Sequence, residues 1–297
     1  VLIYYQIGLS GSYEKNWRHG SIYLNYKEMS TGIDFSPLRI STLVTTGHLG
    51  TTLNLPLLFN QMKSLLIPIG YPDEGFLKME HETRVIGYSS RDLLTKRRVG
   101  DKTFFNQSTI VMRKLREDGG DFKEVNIKLF ANGGFQMTGV TNEMFSRDVI
   151  HWVIREFNNL PTAITSIPLE LTKFAVQLLN SDYKVNALIK RAELHKILCN
   201  VYNLSSTLET TIYQGVNTKY YYNQASPDKN GICNCPKFCN GQGDGTKIAL
   251  CKRITIAIFQ TGSIIITGAR TKEQLDEAYE FINNIITVHA NEVTRVN

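Results

Sequence analysis

The sequence contains no apolar run near the ~20 residues needed to cross a bilayer. Its opening, VLIYYQIGLSGSYEKNWRHG, turns polar early and lacks the basic leader of a secretory signal, so an intracellular protein with no membrane partner is expected. Cysteine is scarce, at five in 297 residues, and four of the five crowd between Cys233 and Cys251. That is not the dispersed framework of a disulfide-stapled domain. With 20% charged and 42% hydrophobic residues, and only 8 proline beside 22 glycine, collagen-like, disordered and charge-dominated chains are excluded. No compact nucleophile, base and orienting group is visible, and the glycine-rich NGQGDGTK lacks the residue order of a phosphate-binding loop, so an enzyme is not expected. The excess of 33 Lys and Arg over 27 Asp and Glu is modest. It permits a polyanionic partner only through a local positive field.

What the sequence does have is an internal repeat. IKLFANGGFQMTGV from Ile127 and IAIFQTGSIIITGA from Ile256 share Ile, Phe, Gly, Thr and Gly at matching positions. Each alternates apolar and other residues up to an Asn-Gly or Thr-Gly turn, continues extended, and ends in Thr-Gly before a helical pattern: strand, hairpin, strand, helix. Parity sets Val125, Ile127, Leu129, Phe135 and Met137 on one face, with Asn126, Lys128, Phe130, Gln136 and Thr138 on the other. In the second copy Ile254, Ile256, Ile258, Ile264 and Ile266 form the apolar face, leaving Thr255, Ala257, Phe259, Ile265 and Thr267 on a mixed one. Met144, Val149, Trp152, Val153 and Phe157 after the first copy, and Leu275, Ala278, Ile282 and Ile285 after the second, have the helical spacing to cover those apolar faces. Thr271 is the expected cap of the second helix, with Glu273 in its first turn. Phe130 and Phe259 interrupt otherwise polar or mixed faces at equivalent positions, which makes them candidate wedges.

PLRISTLVTTGHLGTTLNLPLLFNQMKSLLIP and LELTKFAVQLLNSDYKVNALIKRAELHKILCN each read as a strand followed by a short helix and complete the two units. The expected organisation is a Tyr-rich extension over 1–36 (Tyr4, Tyr5, Tyr13, Tyr23, Tyr26), then two repeats. The first covers 37–160 with an insertion at about 67–103, and the second covers 161–297 with a Cys-rich insertion at about 224–247. Lys96, Arg97 and Arg98 in the first insertion are either phosphate contacts or solvated surface.

The two copies resemble the Ile-Phe-x-x-Gly…Thr-Gly-Ala signature of the TATA-box-binding protein family. The closing TKEQLDEAYEFINNIITVHANEV and the long insertions are similar to the divergent members found in large cytoplasmic (nucleocytoplasmic) DNA viruses, and the resemblance runs from about 37 to 293. It implies an α+β saddle of two pseudo-symmetric repeats, with a concave antiparallel sheet toward the DNA minor groove and helices on the convex face, in a monomer with internal two-fold pseudosymmetry. It further implies a transcription initiation factor that binds and bends double-stranded promoter DNA and recruits viral transcription factors or RNA polymerase, in the host cytoplasm (viral factory) or the virion. The DNA-contacting positions carried over are Val44, Phe105, Lys128, Phe130, Gln136, Thr138, Tyr213, Ala257, Phe259, Ile265 and Thr267. Phe130 and Phe259 match the second Phe of each wedge pair. Tyr213 stands where the family has the first Phe of the second repeat, and Phe105 or Phe104 lies about two positions from its first-repeat counterpart. Thr42 replaces a groove-contacting Asn, whose second-repeat match is Leu178 or Asn180, and Gly134 and Ser263 replace turn lysines. Apolar side chains and small hydroxyls suit a widened minor groove, where A·T and T·A look alike, and an aromatic wedge acts by unstacking a deformable step. Arg113, Lys114, Arg116, Lys219, Lys252 and Arg253 flank strands and are candidate phosphate contacts.

In CNCPKFCNGQGDGTKIALC, Cys233, Cys235, Cys239 and Cys251 can form a closed tetrahedral structural Zn²⁺ site that would stiffen a Gly-rich loop lacking its own core. The C-x-C start departs from paired knuckles, so reduced, metal-free cysteines, with Cys251 buried at the start of a strand, stand as the other reading. For the whole chain the alternative is a non-enzymatic protein-interaction scaffold of the same fold with little or no TATA specificity.

Overall fold

The computed structural model describes residues 32–94, 105–116 and 119–295; the Tyr-rich positions up to Tyr26, the Lys96, Arg97 and Arg98 cluster, and Phe104 lie outside the described residues. In chain order the elements are β1 (Arg39–His48), α1 (Leu55–Met62), β2 (Gly75–His81), β3 (Arg84–Gly87), α2 (Ser90–Leu94), β4 (Gln107–Leu115), β5 (Phe122–Phe130), β6 (Gly134–Val140) and α3 (Glu143–Asn158). They continue as β7 (Lys173–Lys184), β8 (Leu188–Ile189), α4 (Arg191–Asn200), β9 (Ser206–Thr207), β10 (Val216–Tyr222), β11 (Lys252–Ile258), β12 (Ser263–Ala269), α5 (Lys272–Val288), α6 (Ala290–Val293) and β13 (Thr294–Arg295). Among the described residues no helix is long and apolar enough to cross a membrane.

The alternating residues form the expected hairpins, and these join one antiparallel sheet in the order β3-β2-β4-β5-β6-β1-β7-β12-β11-β10-β9. Outward from the β1/β7 seam, one side runs β6, β5, β4, β2 and the other runs β12, β11, β10, β9. The two halves are therefore related by a pseudo-two-fold at the seam, where Arg39 faces Asp182 and His48 faces Lys173. This is an α+β fold with the saddle architecture: a large antiparallel sheet with helices laid along it.

Helices α1, α3, α4 and α5 cover one face. Val125, Ile127, Leu129, Met137, Ile254, Ile256, Ile258, Ile264 and Ile266 are all fully inaccessible, as alternation requires, and they share a single core with residues of α1, α3, α4 and α5. Burying each such side chain contributes about 1.5–3 kcal/mol, so truncation of Ile256 to Ala would cost about 2–5 kcal/mol. In α3 the Asn142 side chain accepts from the Phe145 N–H at 2.7 Å, capping the helix, and Ser146 bonds Thr45 of β1 at 2.8 Å within the core. In α5 the expected Thr271 cap forms, accepting from the Gln274 N–H at 3.3 Å, and Leu275, Ala278, Ile282 and Ile285 face inward. Buried tyrosine hydroxyls tie α5 to the sheet: Tyr183 donates to Asn283 at 2.7 Å and Tyr220 to Glu277 at 2.6 Å. The acidic side of α5 thus lies on the covered side of the sheet.

Three expectations need correction. Met144 is 70% exposed, because the buried stripe of α3 runs Phe145, Val149, Val153, Phe157 at intervals of four and Met144 lies off it. The segment expected as an insertion from about 67 contains β2, a full partner of β4 whose Phe76 stacks on Phe157 at 5.7 Å; β3 and α2 are the added pieces. Arg113 and Lys114 are buried rather than offered to phosphates. Arg113 donates to the Asp73 and Ile69 carbonyls and lies over the Phe122 ring, while Lys114 pairs with Glu74 and Asp148 at 3.0 Å each. Lys252 is buried as well.

Both Thr-Gly steps of the repeat have the same cause. Gly139 and Gly268 sit at φ of +91° and +102°, and a Cβ at either would press on a neighbouring backbone carbonyl, Glu124 O at 2.8 Å or Arg253 O at 3.1 Å. Only glycine lets the strand leave the sheet there and enter its helix.

Candidate nucleic-acid interface and metal centre

Directly opposed residues on neighbouring strands share a face, so the register lays out the uncovered side in rows. In the first half one row runs Lys78, Val111, Asn126, Thr138, and the next runs Glu80, Thr109, Lys128, Gln136, Thr46. In the second half one row runs Thr42, Asn180, Thr267, Thr255, Lys219, and the next runs Arg39, Asp182, Ile265, Ala257, Asn217, Thr207. Val44 stands at the seam opposite Leu178. Lys128, Gln136, Thr138, Val44, Ile265 and Thr267 thus come together on one half-exposed surface of hydroxyls, amides and aliphatic side chains.

Ala257 shares this face but is only 3% exposed, a small side chain screened between Asn217 and Ile265. It can shape the floor without reaching far. Thr267 donates to the Asn180 Oδ1, and Gln177 donates to Thr46 at 2.9 Å, so the seam side chains hold one another in place.

The aromatic ends differ. Tyr213 and Phe259 meet edge to face at 5.5 Å, with Tyr213 41% exposed, so the second repeat carries an assembled aromatic pair at the β11/β12 turn. In the first repeat Phe130 ends β5, but Phe105 projects from the turn before β4 at 73% exposure and, among the described residues, makes no ring contact with it. Gln107 lies opposite Phe130 instead, which accounts for the two-position offset.

Charge on the face is also uneven. Lys219 donates to Thr255 at 2.9 Å, and burial with Arg253 beside it holds its pKa below the ordinary lysine value. Among the described residues neither Lys219 nor Arg253 has a carboxylate partner, so this end is positive. At the opposite end Lys78 is held by Glu80 and Asp92 at 2.8 Å each, and Glu124 also faces outward. Arg39 and Asp182 form a two-pronged pair across the seam at 2.9 Å per bond.

The four clustered cysteines converge. Their sulfurs all lie within 4.8 Å of one another, with Cys235 to Cys251 at 3.4 Å and Cys251 to Cys233 at 3.7 Å. Four thiolates at tetrahedral Zn–S distances stand about 3.8 Å apart. The surroundings suit charged sulfur, because Asn223 Nδ2 donates to Cys251 at 3.3 Å and the Ala249 N–H donates to Cys235 at 3.2 Å. Burial pushes the Cys251 thiol up to about 12 in the absence of a cation, and that of Cys233 up as well. For Cys239 burial is outweighed by donors including the Gly241 N–H, and the pKa falls. The chain therefore contains a four-cysteine cluster able to coordinate a metal ion. It is anchored to the sheet edge, where Arg253 N donates to Gly241 O at 2.8 Å and Tyr221 N to Gly231 O at 2.9 Å.

Parity alone did not separate Leu178 from Asn180. The two are two positions apart and oppose Val44 and Thr42 in continuous register, so both reach the open face. Lys78 was missed because β2 was read as insertion, and the irregularity between Phe76 and Lys78 breaks the simple alternation that would have marked it.

The known proteins compared with this chain resemble it at low sequence identity. The family model described as "Transcription factor TFIID (or TATA-binding protein, TBP)" matches residues 249–289, the stretch carrying β11, β12 and α5. A protein described as "TATA-box-binding protein-like", from Acanthamoeba polyphaga mimivirus, is 25% identical over 292 residues, covering 89% of this chain and 68% of that protein. Among solved structures, Methanococcus jannaschii TBP has 13% identity and a TM-score of 0.45, covering 85% of this chain and 99% of that one. Each of these comparisons points to proteins described as TATA-binding or TATA-binding-protein-like. The chain is similar to the TATA-binding-protein family model over its last hairpin and helix, and to the mimivirus TATA-box-binding protein-like protein along most of its length.

Proposed function

We propose that this chain is a transcription initiation factor that binds double-stranded promoter DNA in the minor groove across the open sheet face and bends it with aromatic wedges. The carrying observation is the Tyr213 and Phe259 pair at the end of an uncovered face whose rows hold Thr267, Ile265, Gln136 and Thr138. Such a surface offers apolar contact and single hydrogen bonds to A·T edges, and the ring pair supplies an element that can enter a base step. Lys128, Lys219 and Arg253 add the phosphate attraction that gives affinity its salt dependence. The helices on the other side, with the insertions, would recruit viral transcription factors or RNA polymerase, in the host cytoplasm (viral factory) or the virion. Cys233, Cys235, Cys239 and Cys251 would hold a structural Zn²⁺, whose role is to pin the insertion against β10 and β11.

A second reading, a protein-interaction scaffold, is favoured by one observation: Glu80, Glu124 and Asp182 put carboxylates on the same face. Affinity and bend angle on A/T-rich, scrambled and G/C-rich duplexes across a salt series separate the two. For the parent, A/T-preferring, salt-sensitive binding with a bend is expected. Phe259→Ala should lower both bend and affinity, by about 1–3 kcal/mol, and Phe130→Ala should act in the same direction, each in a variant that keeps its fold. Absence of any DNA association by the folded parent would leave the scaffold. Salt-sensitive binding without A/T preference would remove the promoter-specific part.

A further inference from the structure

α2 lies against the face assigned above to DNA. Its Asp92 carboxylate takes two hydrogen bonds from Lys78 Nζ, at 2.8 and 2.9 Å, and is itself fixed by the Ser89 N–H and hydroxyl at 2.8 and 2.7 Å. The Ser90 N–H and hydroxyl donate to Glu124 Oε1 at 2.9 and 2.6 Å. Lys78 is on β2 and Glu124 on β5, with β4 between them, so the contacts of this short helix span three strands. Between α2 and the sheet is a cavity of about 340 Å³ lined in part by Val111, Asn126 and Thr138. Lys78 and Asp92 side chains retain only 7% and 17% exposure, so the ammonium is closed to other anions while α2 is seated. At the other end of the sheet, among the described residues, Lys219, Arg253 and the exposed Tyr213 carry no such cover.

We propose that the β3–α2 insertion is an intramolecular plug: it occupies the first-repeat end of the DNA-facing surface, with Asp92 seated on Lys78 where a DNA phosphate would bind. The inference rests on the reading of this face as the DNA surface. Carboxylate and phosphate are both oxyanions that an ammonium binds through charge-assisted hydrogen bonds, so they compete for Lys78. A duplex engages the second repeat first, and contact at Thr138 follows only when α2 lifts. The plug also shields Lys78 and Asn126 from non-specific polyanions.

The test uses the full chain with an A/T-rich duplex. Asp92→Asn and, separately, Ser90→Ala should bind several-fold more tightly than the parent. For Asp92→Asn the salt dependence should steepen by up to about one released counterion, because Lys78, then held by Glu80 alone, can turn to a phosphate. In the parent, amide exchange over 88–94 should accelerate when the duplex is added, a readout that needs no variant to fold. Parent binding with unchanged exchange, and variants with unchanged affinity and slope, would overturn the plug alone. If neither parent nor variants associate with DNA, the DNA reading and the plug fall together. Binding by Asp92→Asn but not by the parent would support both.

Discussion

At the scale of single residues, the repeat signature marks where backbone geometry leaves one choice. Gly268 holds φ at +102° with the Arg253 carbonyl 3.1 Å from where a Cβ would sit. Gly268→Ala should therefore destabilise the fold by about 1–3 kcal/mol in urea melts, with the same sign for Gly139→Ala, although neither side chain would touch a ligand. A neutral result at both would mean that the Thr-Gly steps are not strained. Asp92 carries a different signature. Burial alone would raise its pKa, but the Lys78 hydrogen bond and the Ser89 donors overcome this and bring it to about 2. A carboxylate depressed in the folded state stabilises above its ordinary range near pH 4, and that stability is lost as pH falls toward 2. The difference in stability between the parent and Asp92→Asn should be on the order of 1 kcal/mol near neutral pH and should vanish toward pH 2 in urea titrations. A constant difference across that window would remove the ion pair as its cause.

At the scale of elements, the hairpins were readable and the additions were not. Ile127, Leu129, Ile264 and Ile266 announced their strands because a half-buried sheet imposes period two on every pair of neighbours. The same logic located Gln136 and Thr138 on the open face. No periodicity could show that Asp92 returns to Lys78, since the contact depends on chain reversal through β3 and on a partner fourteen positions away. Nor could it pair Phe105 with a ring, because the turn before β4 sets that direction. The cysteine insertion is intermediate: its composition suggested metal, while convergence of the sulfurs required Cys251 to arrive from the start of β11. If the cluster holds metal as proposed, chelation or Cys235→Ser should raise amide exchange over 224–247 by about tenfold or more while the sheet core keeps its protection. If reduced, tag-free protein contains no near-stoichiometric metal by elemental analysis, the site is not a zinc site.

At the scale of the whole molecule, the β1/β7 seam makes the two repeats one structure. Nine residues of β1 pair directly with β7, and the core beneath runs unbroken from α1 to α5. Among the described residues no linker interrupts the sheet between the halves, so a duplex bound on the proposed face would have to accommodate the protein more than the reverse. Thermal unfolding of the described sheet should accordingly give one transition in calorimetry, with both repeats losing structure together. Two resolved transitions, each assignable to a repeat, would show that the seam is weak.

The same seam has a consequence for how the chain is made. Among the described sheet strands β1 leaves the ribosome first, yet its neighbours β6 and β7 begin at Gly134 and Lys173. At typical elongation rates β1 waits roughly 5–20 seconds with both edges unpaired. Until those strands emerge, Leu43 and its neighbours in β1 are exposed in an extended segment open to other chains. A nascent-chain holdase, or fast engagement of α1 with β2, would be the safeguard during that interval, and crowding on polysomes the condition that strains it.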